Sequence, residues 1–202
     1  MRPQLVIFAR SPRLGAVKRR LARDIGDVAA WRFYTSVLNR MVLRLGRDPR
    51  WDTLLAVTGG PARWPAHVPR LDQGHGDLGD RMDRVMRGMP PGPVVIIGTD
   101  IPDISADHVA RAFRLLGRHG AVFGPADDGG YWLIGLRRRP FRPSLKGPVR
   151  WSTVHALADT ETLLGSRVSV GRLEVLTDVD DAESLGRWRR ERTAANIGGY
   201  FS

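Results

Sequence analysis

Residues 94–103 read Val-Val-Ile-Ile-Gly-Thr-Asp-Ile-Pro-Asp, and this stretch decides the fold that the sequence predicts. Consecutive β-branched residues are typical of a strand that is covered on both faces, as in a parallel sheet. The Gly-Thr-Asp that follows marks the end of that strand. Because ligands in open α/β sheets bind beyond the carboxyl ends of the strands, Asp100 is expected at a binding edge.

Other apolar runs alternate with helical patterns on both sides of this strand. Strands are also predicted at Leu5–Ala9, Leu54–Val57, Ala121–Phe123, Trp132–Ile134 and, more weakly, Val168–Leu176. Helices are predicted over Val28–Leu45, Leu78–Met89, Ser105–Arg118, Thr153–Leu164 and Asp181–Arg192, with Ser105 or Asp107, and Ser152, as N-cap candidates. The alternation predicts one α/β domain over residues 1–192 with a mainly parallel sheet, followed by a loose tail over 193–202.

The composition excludes several classes of protein. The chain of 202 residues has no cysteine, which excludes disulfides, cysteine-ligated zinc, iron–sulfur clusters and a thiol nucleophile. No apolar run approaches the ~20 residues of a membrane span. The first apolar run, Leu5–Ala9, has the length of a strand and is too short for a signal-peptide core, so a cytoplasmic protein is expected.

The net charge of +11 fits an anionic partner, such as a nucleic acid or a phosphorylated small molecule. Only Lys18 and Lys146 are lysines, so the excess is almost entirely scattered arginine. The basic residues do not alternate with aromatic residues, as a stacking platform for nucleic acid would require. A solvated arginine-rich surface is therefore favoured over a nucleic-acid groove.

The first candidate site is the loop after the first strand, residues 10–21, which carries Lys18 and several arginines. Backbone N–H groups at a helix start, with an ammonium nearby, suit a phosphate chain. The loop has a single glycine and is neither a Walker A loop nor a Rossmann fingerprint. An ordinary strand–helix turn with exposed arginines explains the same pattern.

Acidic residues supply the other candidates. Asp100 is a natural ligand for Mg²⁺ or Mn²⁺, because hard cations prefer oxygen donors. Asp178 and Asp180 could complete such a site, or Asp180 or Asp181 could merely cap the last helix. Asp127-Asp128-Gly129-Gly130 could supply a general base, although the segment is also typical of a hairpin turn. The glycine-rich loop over 73–79 is a candidate for contacts with a nucleotide base.

These segments together resemble one bacterial family. The order F-A-R-S-P-R-L-G-A-V-K-R-R-L-A, G-H-G-D-L-G-D-R-M, V-V-I-I-G-T-D-I-P-D-I, G-P-A-D-D-G-G-Y-W-L-I-G-L, W-S-T and D-V-D-D-A-E-S-L covers residues 5–185. It resembles an uncharacterised, glycosyltransferase-like family within the nucleotide-diphospho-sugar transferase (GT-A) superfamily. The layout is also similar to the guanylyltransferases that act on molybdenum cofactor or on 2-phospholactate.

The resemblance implies a Rossmann-like α/β GT-A fold: a mainly parallel mixed sheet with helices on both faces. It implies a divalent metal, Mg²⁺ or Mn²⁺, on Asp100 and Asp180, with Asp178 as a further ligand. The implied catalytic residues are Lys18, Asp100 and Asp128. The expected nucleotide-binding residues are Ala9, Arg10, Ser11, Arg13, Gly15, Lys18, Gly76, Asp77 and Thr99.

The leading hypothesis is a metal-dependent, glycosyltransferase-like enzyme that uses a nucleotide-sugar donor and a small-molecule acceptor. The alternative is a guanylyl- or cytidylyltransferase that acts on a phosphorylated small molecule, but the first loop lacks the G-G pair of sugar nucleotidyltransferases. A non-catalytic nucleic-acid-binding module ranks third, and no nucleic-acid partner is expected. Homodimer formation is left open.

Overall fold

The computed structural model describes residues 2–66, 68–140 and 143–198. The strands are β1 (Gln4–Arg10), β2 (Asp52–Thr58), β3 (Arg70–Asp72), β4 (Val94–Ile97), β5 (Ala121–Pro125), β6 (Tyr131–Leu136) and β7 (Val170–Arg172). The helices are α1 (Arg19–Ile25), α2 (Asp27–Leu45), α3 (Leu78–Gly88), α4 (Ala106–Leu116), α5 (Ala156–Leu164) and α6 (Ala182–Gly198). Among the described residues, none of these helices has the length and apolarity needed to cross a membrane.

The seven strands form one mixed sheet in the order β3-β2-β1-β4-β6-β5-β7. All neighbouring pairs are parallel except those of β6, which runs antiparallel to both β4 and β5. The predicted α/β class with a mainly parallel mixed sheet is therefore confirmed. Because β6 is reversed, its first residue lies at the same edge of the sheet as the carboxyl ends of β1 and β4.

The central strands are apolar without interruption because helices cover both faces of the sheet. Leu5 and Ile7 of β1 pack into a core cluster with α2 and α4. Val6, between them, points to the other face and packs into a second cluster that includes α3. All four residues of β4 are buried. The alternation along β1 thus fixes which helices lie on each side of the sheet.

Most predicted elements are confirmed, but their ends differ. Strand β3 was not predicted, because its three residues include only one apolar side chain, Leu71. Of the strand weakly predicted over Val168–Leu176, the structure has β7 and an isolated bridge between Leu176 and Ala126. Ser105 caps α4 as predicted: its hydroxyl accepts a hydrogen bond from the His108 N–H, and the His108 ring accepts one from the Ser105 N–H.

Two predicted helix ends are wrong. Ser152 was a candidate N-cap, but α5 begins later, after His155, and Ser152 has a left-handed backbone with φ of 60°. At the carboxyl end of the chain, α6 continues to Gly198, so the predicted tail over 193–202 begins inside a helix. Residues 199–202 lie outside the described residues. All the described strands belong to one sheet, and the division into a single domain and a tail stays a prediction.

Candidate active site

A cleft of about 600 Å³ opens at the carboxyl ends of β1 and β4 and the start of β6. Of the residues predicted for the site, eight line this cleft: Ala9, Arg10, Lys18, Thr99, Asp100, Asp128, Asp178 and Asp180. The rule that ligands bind beyond the carboxyl ends of parallel strands therefore located the cleft.

Three carboxylates meet on one wall of the cleft. Asp100 follows β4, and Asp178 and Asp180 come from the segment that leads into α6. The N–H of Val179 donates a hydrogen bond to the carbonyl oxygen of Asp100 (3.2 Å), which joins that segment to the end of β4. One oxygen of each carboxylate lies within 4.8 Å of the others. We call Asp100, Asp178 and Asp180 the acidic triad.

Lys18 fills the centre of the acidic triad. Its Nζ lies 2.5 Å from Asp100 Oδ1, 2.7 Å from Asp180 Oδ1 and 3.7 Å from Asp178 Oδ1. Its side chain is only 3% exposed. The backbone of Lys18 is left-handed, with φ of 47° and ψ of 49°, immediately before α1. This conformation is uncommon for a residue with a side chain and often marks a functional position.

Lys18 and Asp178 shift each other's pKa values. Burial alone would lower the pKa of Lys18, but the carboxylates of Asp100, Asp178 and Asp180 raise it above its ordinary value, so the ammonium is charged. Burial raises the pKa of Asp178 to about 7; the Lys18 charge opposes this shift, and the charges of Asp100 and Asp180 add to it. The buried ammonium of Lys18 is thus surrounded by three carboxyl groups.

The donor set fits a divalent cation such as Mg²⁺ or Mn²⁺. The cluster presents only carboxylate oxygens, which these ions prefer. One buried oxygen, Oδ1 of Asp178, also accepts no hydrogen bond. Buried polar atoms without a partner are rare and call for an explanation. A cation held by the acidic triad would supply that partner.

Tyr34 on α2 holds the end of β1 in place beside the triad. Its hydroxyl donates to the carbonyl oxygen of Arg10 (2.8 Å) and accepts from the Arg10 N–H (2.9 Å). The Thr99 hydroxyl donates a longer hydrogen bond to the same phenol oxygen (3.5 Å). Burial raises the pKa of Tyr34, so the phenol stays neutral. The loops after β1 and β4 are thus tied through one buried side chain.

Asp128 lies in the tight turn between β5 and β6, beside the acidic triad, since the N–H of Asp178 donates to the carboxylate of the neighbouring Asp127 (3.4 Å). One of its carboxylate oxygens accepts a hydrogen bond from the Gly130 N–H (2.8 Å). Gly129 has a left-handed φ of 83°, and its carbonyl oxygen accepts from the N–H of Leu157 (3.2 Å) at the start of α5. The Asp-Asp-Gly-Gly segment is therefore both a hairpin turn and a part of the cleft wall.

Five of the predicted nucleotide-binding residues do not line the cleft: Ser11, Arg13, Gly15, Gly76 and Asp77. The Ser11 side chain is buried, and its hydroxyl donates to the carbonyl oxygen of Gly60. Asp77 caps α3, accepting a hydrogen bond from the Asp80 N–H (2.8 Å). The phosphate site at the start of α1, a helix of seven residues, stays a prediction.

Several residues of the cleft were predicted only as parts of longer segments: Gln73 begins the loop over 73–79, and Tyr131 and Trp151 stand in segments that carry the family resemblance. The Gln73 amide donates to the carbonyl oxygen of Ala56 (2.8 Å), and its oxygen accepts from Arg81 (3.1 Å). This pair links β2 to α3 on the cleft wall. Tyr131 and Trp151 also line the cleft, and the Nε1 of Trp151 is buried with no hydrogen-bond partner. That these residues meet in one cleft depends on contacts between distant segments, which no local motif encodes.

Comparison with known proteins identifies the family and the fold. A family model described as "Uncharacterized protein conserved in bacteria (DUF2064)" matches residues 38–153. Comparison with curated proteins gives no match. A structure from Desulfovibrio desulfuricans G20, provisionally named a nucleotide-diphospho-sugar transferase, is similar with a TM-score of 0.76 and 30% identity, covering 90% of this chain and 84% of that one.

More distant structures share the fold. Rv0371c from Mycobacterium tuberculosis H37Rv, in complex with manganese, has a TM-score of 0.56 at 15% identity, covering 93% of this chain and 97% of that one. The 4-diphosphocytidyl-2C-methyl-D-erythritol synthase of Anaerococcus prevotii DSM 20548 has a TM-score of 0.55 at 10% identity, with coverage of 91% and 94%. On the family match and the 30% identity, the chain belongs to the DUF2064 family of bacterial proteins and has the fold of the nucleotide-diphospho-sugar transferases.

Proposed function

We propose that this protein is a metal-dependent transferase that uses a nucleotide-activated donor, with glycosyl transfer from a nucleoside-diphosphate sugar as its reaction. The observation that carries the proposal is the acidic triad at the end of β4, which faces the loop after β1 within one cleft. The fold shared with nucleotide-diphospho-sugar transferases supports the same class of donor.

Positive charge in the cleft suits a diphosphate. Arg10, Lys18, Arg19 and Arg20 line it on the side of the first loop, and Arg81 lines it from α3. Guanidinium groups bind phosphate oxygens through paired, charge-assisted hydrogen bonds. A divalent ion bound to the acidic triad would neutralise charge on the diphosphate. The donor would therefore lie with its diphosphate between the triad and these arginines.

Asp128 is the proposed general base. Its carboxylate lines the cleft and is exposed, so an acceptor hydroxyl can reach it. The acceptor oxygen attacks the anomeric carbon of the sugar while its proton passes to Asp128. The bond between that carbon and the diphosphate oxygen breaks, and the nucleoside diphosphate leaves with the electron pair. A direct displacement of this kind inverts the anomeric centre.

Calorimetric titration tests the proposal. Nucleoside diphosphates and nucleotide sugars are titrated into the protein with and without Mn²⁺. We expect Mn²⁺ to strengthen binding, and Asp100→Asn to remove that effect. Asp107→Asn, on the exposed first turn of α4 and outside the cleft lining, is the control. Nucleotide binding that needs no metal and survives Asp100→Asn would count against the proposal.

Nucleotidyl transfer is the second candidate. Arg19 and Arg20 join Lys18 on one wall of the cleft, and such a concentration of charge also suits a triphosphate. In that reaction a phosphate of the acceptor attacks the α-phosphorus of the nucleotide, and pyrophosphate leaves. Release of pyrophosphate from GTP or CTP, in the presence of phosphorylated acceptors, distinguishes this activity from glycosyl transfer. A cytoplasmic location and the absence of a nucleic-acid partner remain predictions.

A further inference from the structure

Lys18 occupies the place that a divalent ion would take in the acidic triad. Its ammonium contacts Asp100 and Asp180 at 2.5 and 2.7 Å, and Asp178 lies 3.7 Å away. Divalent Mg²⁺ binds carboxylate oxygens at about 2.1 Å and tolerates little deviation from its geometry. An ammonium and a divalent ion at the same carboxylate oxygens repel each other, and this repulsion is stronger inside a protein than in water.

The released side chain would remain in the cleft. A lysine side chain is a flexible four-carbon stem that carries a compact charge. Its chain neighbours Arg19 and Arg20 line the same cleft, on the side where the proposed function puts the diphosphate.

We propose that Lys18 is an internal competitor for the divalent ion. Its ammonium holds the three carboxylates together in the free protein; the entering ion displaces it into the cleft, where it binds the diphosphate of the donor. Binding of the ion and binding of the donor are thereby coupled, and each raises the affinity for the other by the same factor. The inference rests on the proposed function, since it assumes a divalent ion and a diphosphate donor in this cleft.

Nuclear magnetic resonance can follow the displacement directly, because the chain has two lysines, Lys18 and Lys146. The Lys18 side chain is 3% exposed and that of Lys146 is 58% exposed. In protein labelled with ¹⁵N-lysine, we expect a protected ammonium signal from Lys18. Lys146→Arg identifies it, since the signal remains in that variant. Titration with Mg²⁺ should shift or remove the Lys18 signal. A Lys18 signal that is unchanged when Mg²⁺ is saturating would overturn the inference.

Calorimetry with Mn²⁺ alone gives a second, independent readout. We expect Lys18→Met to bind Mn²⁺ roughly tenfold more tightly than the unmodified protein, within the usual range of couplings between two ligands. Lys146→Met, which loses an exposed lysine outside the cleft, should bind Mn²⁺ like the unmodified protein. Circular dichroism checks that Lys18→Met is folded, and Lys18→Gln replaces it if it is not.

The outcomes separate this inference from the proposed function. Tighter Mn²⁺ binding by Lys18→Met supports the competition. Equal or weaker binding by Lys18→Met, with Mn²⁺-strengthened nucleotide binding intact in the unmodified protein, removes the inference and leaves the proposed function standing. If neither protein binds Mn²⁺, the inference fails together with the metal dependence of the proposed function.

Discussion

Gly129 offers a demanding test of how the turn between β5 and β6 is built. Gly129→Ala adds a methyl group at a left-handed φ of 83°. That Cβ would lie 2.6 Å from the Val154 Cα and closer still to the Val154 carbonyl oxygen. Both contacts are with backbone, so no side-chain rotation relieves them, and either the turn or the segment before α5 must move.

The cost has two parts. A residue with a Cβ in the left-handed region costs roughly 1–2 kcal/mol, and overpacking against fixed neighbours typically costs about 1–3 kcal/mol. We therefore expect Gly129→Ala to lower the free energy of unfolding by about 2–5 kcal/mol, a large part of the ~5–15 kcal/mol of an ordinary domain. Because Asp128 precedes this glycine, acceptor-dependent activity should fall as well.

Urea unfolding, followed by tryptophan fluorescence, measures the loss. Two matched glycines serve as controls. Gly88→Ala, at the end of α3, meets open space, and Gly130→Ala would place its Cβ 3.0 Å from the movable Asp128 carboxylate. Both should change the free energy of unfolding by less than about 1 kcal/mol. If Gly129→Ala unfolds at the same urea concentration as Gly88→Ala, the backbone clash inferred from the structure is wrong.

Three further predictions concern polar contacts that hold the fold together. Burial alone would raise the pKa of Asp83, but hydrogen bonds led by that from Arg87 lower it below its ordinary value. Asp83→Asn should therefore cost roughly 1–3 kcal/mol at pH 7, and the difference from the unmodified protein should shrink as pH falls below about 4. Trp188→Phe loses the indole hydrogen bond to Asp103 (2.6 Å), and should cost about 1–3 kcal/mol in chemical unfolding. Ser105→Ala removes the cap of α4 and should cost about 1 kcal/mol in the same assay.

Each of these variants has a matched comparison. Ser105→Thr keeps a capping hydroxyl and should retain most of the stability that Ser105→Ala loses. Asp103→Asn keeps an acceptor for the Trp188 indole and should cost less than Trp188→Phe. For Asp83, a loss of stability that stays constant down to pH 2 would contradict the linkage between its pKa and folding.

The sequence predicts the elements whose signal is local. The β-branched run over 94–97 coincides with β4, and the periodic apolar residues over 28–45 lie within α2. Strand β3 is not predicted, because three residues are too few to show a periodic pattern of apolar side chains. The predicted start of α5 is wrong because serine is a residue type that is typical of N-caps. The left-handed backbone of Ser152 instead belongs to the turn that precedes the helix.

For the candidate site, the sequence predicts which strand ends carry acids, but not which charges meet. The rule for carboxyl ends of strands locates Asp100 in the cleft, and the alternation in Asp178-Val179-Asp180 suggests paired acids. That Lys18 lies between these three carboxylates depends on contacts across 162 positions of the chain. The Gln73–Arg81 pair likewise depends on how α3 meets β2, which no local pattern encodes.

The reversed direction of β6 has a consequence for how the chain tolerates changes in length. Its first residue, Tyr131, lies at the cleft edge of the sheet. The turn before Tyr131 therefore joins the end of β5 to the start of β6 at that edge. An insertion in that turn would change both the cleft wall and the contact between the turn and the start of α5. The connection between α4 and β5, residues 117–120, lies at the opposite edge of the sheet. Chain-length variation and inserted peptide tags should therefore be better accommodated there.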